Sequence, residues 1–294
     1  MKIKTFSKLL ILALIFYPNL SFGDDKIHYG VFIQNDNGMM YGVPMLKGVG
    51  KAQNNIQNAQ QQDREILINQ FLKLVKTEIA NFSLGKNYPA YDANSSLVNV
   101  TILTKNEPEG GEADMLFESK SQKLQKLPIL FWSSKTLKPI IIKTTERTLD
   151  DSKINFFQNK AKSLIDQASS GLLDPYKFSK ILKSSILSLE GNEDIITIFF
   201  PLILTKEVSN NKIHEDKRGS VFFIYDTKQD QIILGKFGHP GWSPEAKNVN
   251  VIKPVFFFSV NNESYCFCQY DSAWEHAGFA LIELKSGKVS MSSY

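Results

Sequence analysis

Cysteine is almost missing from this chain. Its 294 residues hold two, Cys266 and Cys268, which excludes a fold stapled by a framework of disulfides. In "SYCFCQY" the pair stands on one face of a strand, where a bridge would close a very small, strained loop. Two small buried apolar side chains is the plainer reading; a strained bridge, an intermolecular bridge or a metal pair are the alternatives. Histidine is scarce as well: His28, His214, His239 and His276 never fall into HxxxH or HExxH, so no familiar zinc pattern is present. No stretch is apolar for the roughly 20 residues that a membrane-spanning helix needs. An excess of one charge is also lacking. Lys2, Lys4 and Lys8 belong to an N-terminal leader; without them 31 Lys and Arg face 30 Asp and Glu, and the net charge falls from +4 to +1. That balance, with both signs interspersed, gives no clustered basic face for nucleic acid.

The leader is what the first 23 residues resemble in pattern. Three lysines precede an apolar run from Leu9 to Tyr17, Pro18 and Asn19 break it, and Ser21-Phe22-Gly23 supplies small residues for cleavage. Export to the periplasm or the outside follows as the expectation, with no stable membrane span after cleavage. The remaining 271 residues, rich in aromatics with 21 Phe, suffice for one large domain or two smaller ones and place the chain among globular proteins rather than disordered ones.

Along the chain, "KIHYGVFIQ" and "MMYGVPML" flank the turn "NDNG" and predict an N-terminal hairpin. "KAQNNIQNAQQQDRE" is either a loose linker or the polar start of the following helix, in which Leu67, Phe71, Leu74, Val75, Ile79 and Phe82 share a face. "SLVNVTILT", "PILFWSS" and "KPIIIKT" read as strands, the last two as a hairpin closed by "SKTL". Residues 150–169 predict a helix burying Ile154, Phe157, Ala161, Leu164, Ile165 and Ala168. Asp174-Pro175 then looks like the start of a second helix, with Phe178, Ile181, Leu182, Ser185 and Leu189 inward and Gly191 as the stop. The last third is a run of hairpins: a long strand interrupted by Pro201, then "SVFFIYD-TKQD-QIILGKF", "PVFFFSV-NNE-SYCFCQYD" and "GFALIEL-KSG-KVSMSS". The fold class expected is α+β, an antiparallel β-meander sheet with helices packed on one face. The expected division is an N-terminal α+β region, 24–148, followed by 149–294, a helical pair and then the meander; a single continuous domain over 24–294 fits nearly as well.

Catalytic motifs fail on inspection. "KGVGKA" resembles a phosphate loop, but Met45 stands where its first glycine belongs and Ala52 where a magnesium-binding hydroxyl belongs; it reads as a flexible connector. Ser243 in "GWSPE" resembles a nucleophile elbow, but Pro244 has no N–H to give an oxyanion. "QNDNG" lacks the closing Glu of a calcium loop.

The stretch that remains is "FGHPGWSPEA". Two prolines and two glycines stiffen it around Trp242, and "SAWEHAG" sets Trp274 in the next connection but one. A rigid aromatic loop suits packing or recognition. His239, Trp242, Trp274 and His276 are therefore the candidate binding residues. The function expected is an exported, non-catalytic factor that binds another protein, of inhibitor, immunity or surface-interaction type, with no cofactor. One alternative is a metal-dependent hydrolase in which His239 and His276 meet a carboxylate, the candidate ligands being His239, Glu245, Asp271, Glu275 and His276. A second is a periplasmic carrier with a Phe- and Tyr-lined pocket between sheet and helices.

Overall fold

The computed structural model describes residues 27–34, 39–106, 117–120, 127–134, 137–169, 176–208, 213–238, 252–271 and 277–293. The chain is mostly antiparallel β-sheet, with two sheets and short helical cover. Strands β1 (Tyr29–Gln34) and β2 (Met39–Leu46) are followed by helices α1 (Val49–Asn58) and α2 (Gln61–Ala80). Next come β3 (Asn87–Tyr91), β4 (Leu97–Thr101), β5 (Thr104–Lys105), β6 (Phe117–Lys120), β7 (Ile129–Trp132), β8 (Ile140–Ile141) and β9 (Thr144–Glu146). Helix α3 (Asp151–Ser169) precedes β10 (Tyr176–Ile181), β11 (Ser185–Leu189), β12 (Asn192–Val208), β13 (Ile213–Asp226) and β14 (Gln231–Gly238). The chain closes with β15 (Ile252–Val260), β16 (Glu263–Asp271), β17 (Ala277–Glu283) and β18 (Val289–Ser293).

The larger sheet runs β4-β3-β7-β1-β2-β18-β17-β16-β15-β8, with β6 also on β2 and β5 on β6. The smaller runs β14-β13-β12-β11-β9, with β10 also on β12. Because side chains alternate across a strand, each strand supplies two layers. In β7, Ile129 and Phe131 join a core with Phe71, Val75, Ile79 and Phe82 of α2 and the turn after it. Leu130 and Trp132 point the other way, into a core shared with Phe256, Phe258, Phe267, Phe279 and Leu281. The sheet thus curls so that its two ends face each other. The opposite face of the C-terminal strands, through Phe257, Cys266, Cys268 and Ile282, meets Ile195, Phe222 and Ile224 of the smaller sheet. The outer face of that sheet, with Ile198, Phe200, Leu202 and Phe223, is covered by Phe157, Ala161 and Ile165 of α3.

Four expectations are corrected. Helical cover is a minor part of an essentially β architecture, because the Phe-rich strands find their second cover largely in other strands. Residues 176–189 form β10 and β11, so the 149–294 region holds no helical pair among its described residues. The apolar spacing there is compatible with a helix, but the long edge of β12 carries backbone N–H and C=O groups that need partners, and β10 and β11 supply them. β7 and β8 are not a hairpin: β7 pairs with β1 and β3, and β8 with β15. "KGVGKA" is no loose connector either. Gly48, at φ 74, caps α1, and the helix runs on from Val49. Within α2, Phe71, Val75 and Ile79 are buried as expected, whereas Leu74 is 58% exposed.

Pro201 sits inside β12 without breaking it. Leu182 N–H donates to the Pro201 carbonyl, so this residue's backbone faces the gap where β10 ends and β11 has not begun. Its missing N–H falls where no strand would have used it.

Gly30 is the most crowded of the described glycines. A Cβ there would lie 2.2 Å from Cζ of Phe131, a fully buried ring stacked on Phe32 at 4.7 Å. Gly30→Ala is expected to destabilise the fold by about 1–3 kcal/mol through overpacking, read as a lower urea midpoint at unchanged slope.

Candidate functional site

The tryptophan-bearing segments are bracketed by well-defined strand ends. Of the candidate residues, His239, Trp242, Glu245, Trp274, Glu275 and His276 lie outside the described residues. Asp271 is the last residue of β16 and stands in register with Ala277, the first of β17. Ile252, the first residue of β15, is in register with Tyr270. The two connections, 239–251 and 272–276, are therefore rooted on adjoining strands at one end of the larger sheet. The other root of 239–251 is Gly238, in register with Ser220 on the smaller sheet. The Ser220 hydroxyl donates to the Ile252 carbonyl at 3.3 Å, which ties the middle of β13, opposite the end of β14, to the start of β15. Both sheets thus contribute to this one end.

The cysteines lie in the layer between the sheets. Both are buried free thiols with Sγ atoms 3.2 Å apart. Their neighbours across the ladder are Phe257 and Ile282 for Cys266, and Pro254 and Ala280 for Cys268. Burial pushes the Cys266 thiol well above its ordinary value, and the adjoining Cys268 adds to the shift. A thiol without thiolate character is a poor nucleophile and a poor metal ligand. Packing is the role that this geometry supports.

His28 is a structural residue. Its Nδ1 lies 2.6 Å from Oε1 of Glu78 on α2, and its backbone exchanges hydrogen bonds with Ser133 just beyond β7. The pair pins α2 to the strands it covers. No group of three or more His, Cys, Asp or Glu side chains is arranged to hold a metal among the described residues.

A polar cluster fastens α3 to the smaller sheet. Asp150 caps the helix: its carboxylate accepts from the Lys153 N–H at 2.8 Å and from the Ser152 hydroxyl. Lys153 Nζ donates to the Tyr225 hydroxyl at 2.8 Å and to Asp230, and Tyr225 donates to the same carboxylate. These bonds from Lys153 and Tyr225 hold the Asp230 carboxyl below the ordinary carboxylate range. The bond to Asp230, then that to Tyr225, raises Lys153. Sequence reasoning did not single out this cluster, because its members lie 72 and 77 residues from Lys153.

Two predictions follow from these groups. A carboxyl lowered in the folded state contributes stability above its unfolded pKa near 4, and that contribution is lost as pH falls through the folded value. The urea midpoint should therefore drop between pH 6 and pH 3, and drop less in Asp230→Asn; Asp150, lowered by its own capping bonds, accounts for part of the remaining slope. The cysteines should resist a thiol reagent in the native protein and react as two thiols in denaturant, since burial denies the reagent access to both and keeps the Cys266 thiol protonated.

Comparison of the chain with family models, with curated proteins and with solved structures finds no match.

Proposed function

We propose that this is an exported, non-catalytic protein that binds another protein through the end where β14, β15, β16 and β17 converge. One observation supports the reading most directly. Ile252 and Tyr270, Asp271 and Ala277, and Gly238 through Ser220 gather the roots of both tryptophan-bearing connections at one place. Connections grouped at one end of a rigid sheet assembly are the usual way to build a recognition surface. Trp242 and Trp274 are the residues with the area and rigidity to act as anchors there. The leader-like residues 1–23 and the near-neutral balance of the rest suit a factor of inhibitor, immunity or surface-interaction type working outside the cytoplasm.

The same convergence favours a second reading. Asp271 ends β16 beside the start of β17, and His239, Glu245, Glu275 and His276 belong to the two connections. In a metal-dependent hydrolase these side chains would be the ligands.

Native mass spectrometry of the protein from its own extracytoplasmic fraction separates the two. A second protein at fixed stoichiometry supports the binding reading. A monomer carrying one extra zinc-sized mass refutes it in favour of the hydrolase. Trp242→Ala and Trp274→Ala are expected to weaken partner binding at least tenfold each, about 1.4 kcal/mol, with unfolding midpoints unchanged. Loss of stability with intact binding would assign both side chains to packing instead.

A further inference from the structure

A cleft of about 290 Å³ opens between the two sheets on the β8–β9 side. One wall is the start of β15, including Lys253 and Phe257; the other is β11 and β12, with Ser185, Thr197 and Phe199; Thr144 of β9 completes it. Three features give it a chemical character. Thr197 is only 2% exposed, yet its hydroxyl has no hydrogen-bond partner among the described residues and is not sealed away from solvent either. That hydroxyl is open to the cleft and free to bond whatever fills it. Lys253 is the only ionisable residue among those lining the cleft, and no described carboxylate pairs with it. The rest of the lining is apolar and aromatic apart from hydroxyls.

The cleft does not suit an added β-strand. Pro254 has no N–H, and the register of β15 shifts between Pro254 and Phe256. A proline and a bulge are the devices that keep foreign strands off a sheet edge. The occupant that fits is compact.

We infer that this cleft binds a small apolar monocarboxylate, its carboxylate accepting from the Thr197 hydroxyl and neutralised by Lys253, its aliphatic or aromatic body against Phe199 and Phe257. A charged acceptor makes the stronger class of hydrogen bond, and a largely apolar cavity with few polar groups is the usual form of a small-ligand site. The inference rests on other residues than the tryptophan-bearing connections, although the cleft and the root of 239–251 meet at the start of β15.

The test is calorimetric titration of the full chain with phenylacetate, with benzylamine as a control of similar size and opposite charge. Saturable one-to-one binding of phenylacetate and none of benzylamine is expected. Thr197→Val keeps the shape and removes the hydroxyl; Lys253→Gln removes the charge at an exposed residue. Each should weaken phenylacetate about tenfold, the scale of one hydrogen bond to a charged group. Should Thr197→Val fail to fold, Lys253→Gln decides alone. Absence of saturation, equal binding of benzylamine, or folded variants that bind phenylacetate as the parent does would each overturn the assignment.

Discussion

The middle of the β15–β16 hairpin has no wet face, and the rest of the molecule is arranged around that fact. Phe256, Phe258 and Phe267 face the first strands of the chain; Phe257, Cys266 and Cys268 face the smaller sheet. A strand buried on both sides can carry polar side chains only where they find partners, and its volumes are constrained from two directions at once. Cysteine is suited to such a layer, as a small side chain that packs like a hydrophobe. Opposite it stand Phe222 and Ile224. Large residues from one sheet thus meet small ones from the other, as close packing between sheets requires.

Where this dry layer gives out, the chain has its candidate functional features. On one side the strand ends carry the convergent connections; on another the sheets part around Thr197. Edges are managed differently at each place. β8 covers β15 for only two ladder residues, with one further bond from Ile142 N–H to the Phe257 carbonyl. Beyond that, Pro254 and the shifted register blunt the strand. In β12, Pro201 occupies the gap between two shorter partners. Proline is thus used where the backbone is left open, and the core strands remain continuous.

Much of the β-structure was legible in the residues. The C-terminal hairpins announced themselves through short polar turns; Asn261 and Asn262, both at positive φ, bear out the "NNE" turn, and Gly287 at φ 66 bears out "KSG". Helix α3 was readable from its apolar spacing, which buries Phe157, Ala161 and Ile165. What escaped was set by long-range pairing. Residues 178–189 carry a spacing that satisfies a helix, and only the open edge of β12 makes them strands. The partner of β8 lies more than a hundred residues away. Nor does the sequence say that the second cover of a Phe-rich strand is a sheet and not a helix, because both demand the same side chains. The cleft was equally hidden. Its one local sign is Thr197, a hydroxyl between Ile195 and Phe199 on the inward face of an otherwise apolar strand. Of the proposed binding end, the sequence offered the tryptophans, and the register shows where their connections are rooted.

The pairing of β18 with β2 sets Ser292 against Leu46 and Ser293 against Met45. The final strand of the chain lies beside one of the first, and the core around Trp132 is completed by side chains as late as Met291. Loops of such length close slowly, because their entropy is lost before the contacts reward it. Until those last residues arrive, Val31, Leu130 and Trp132 lack most of their cover. The core around Trp132 is thus joined across almost the whole described chain, from Tyr29 to Met291, and a change near either terminus reaches the same layer.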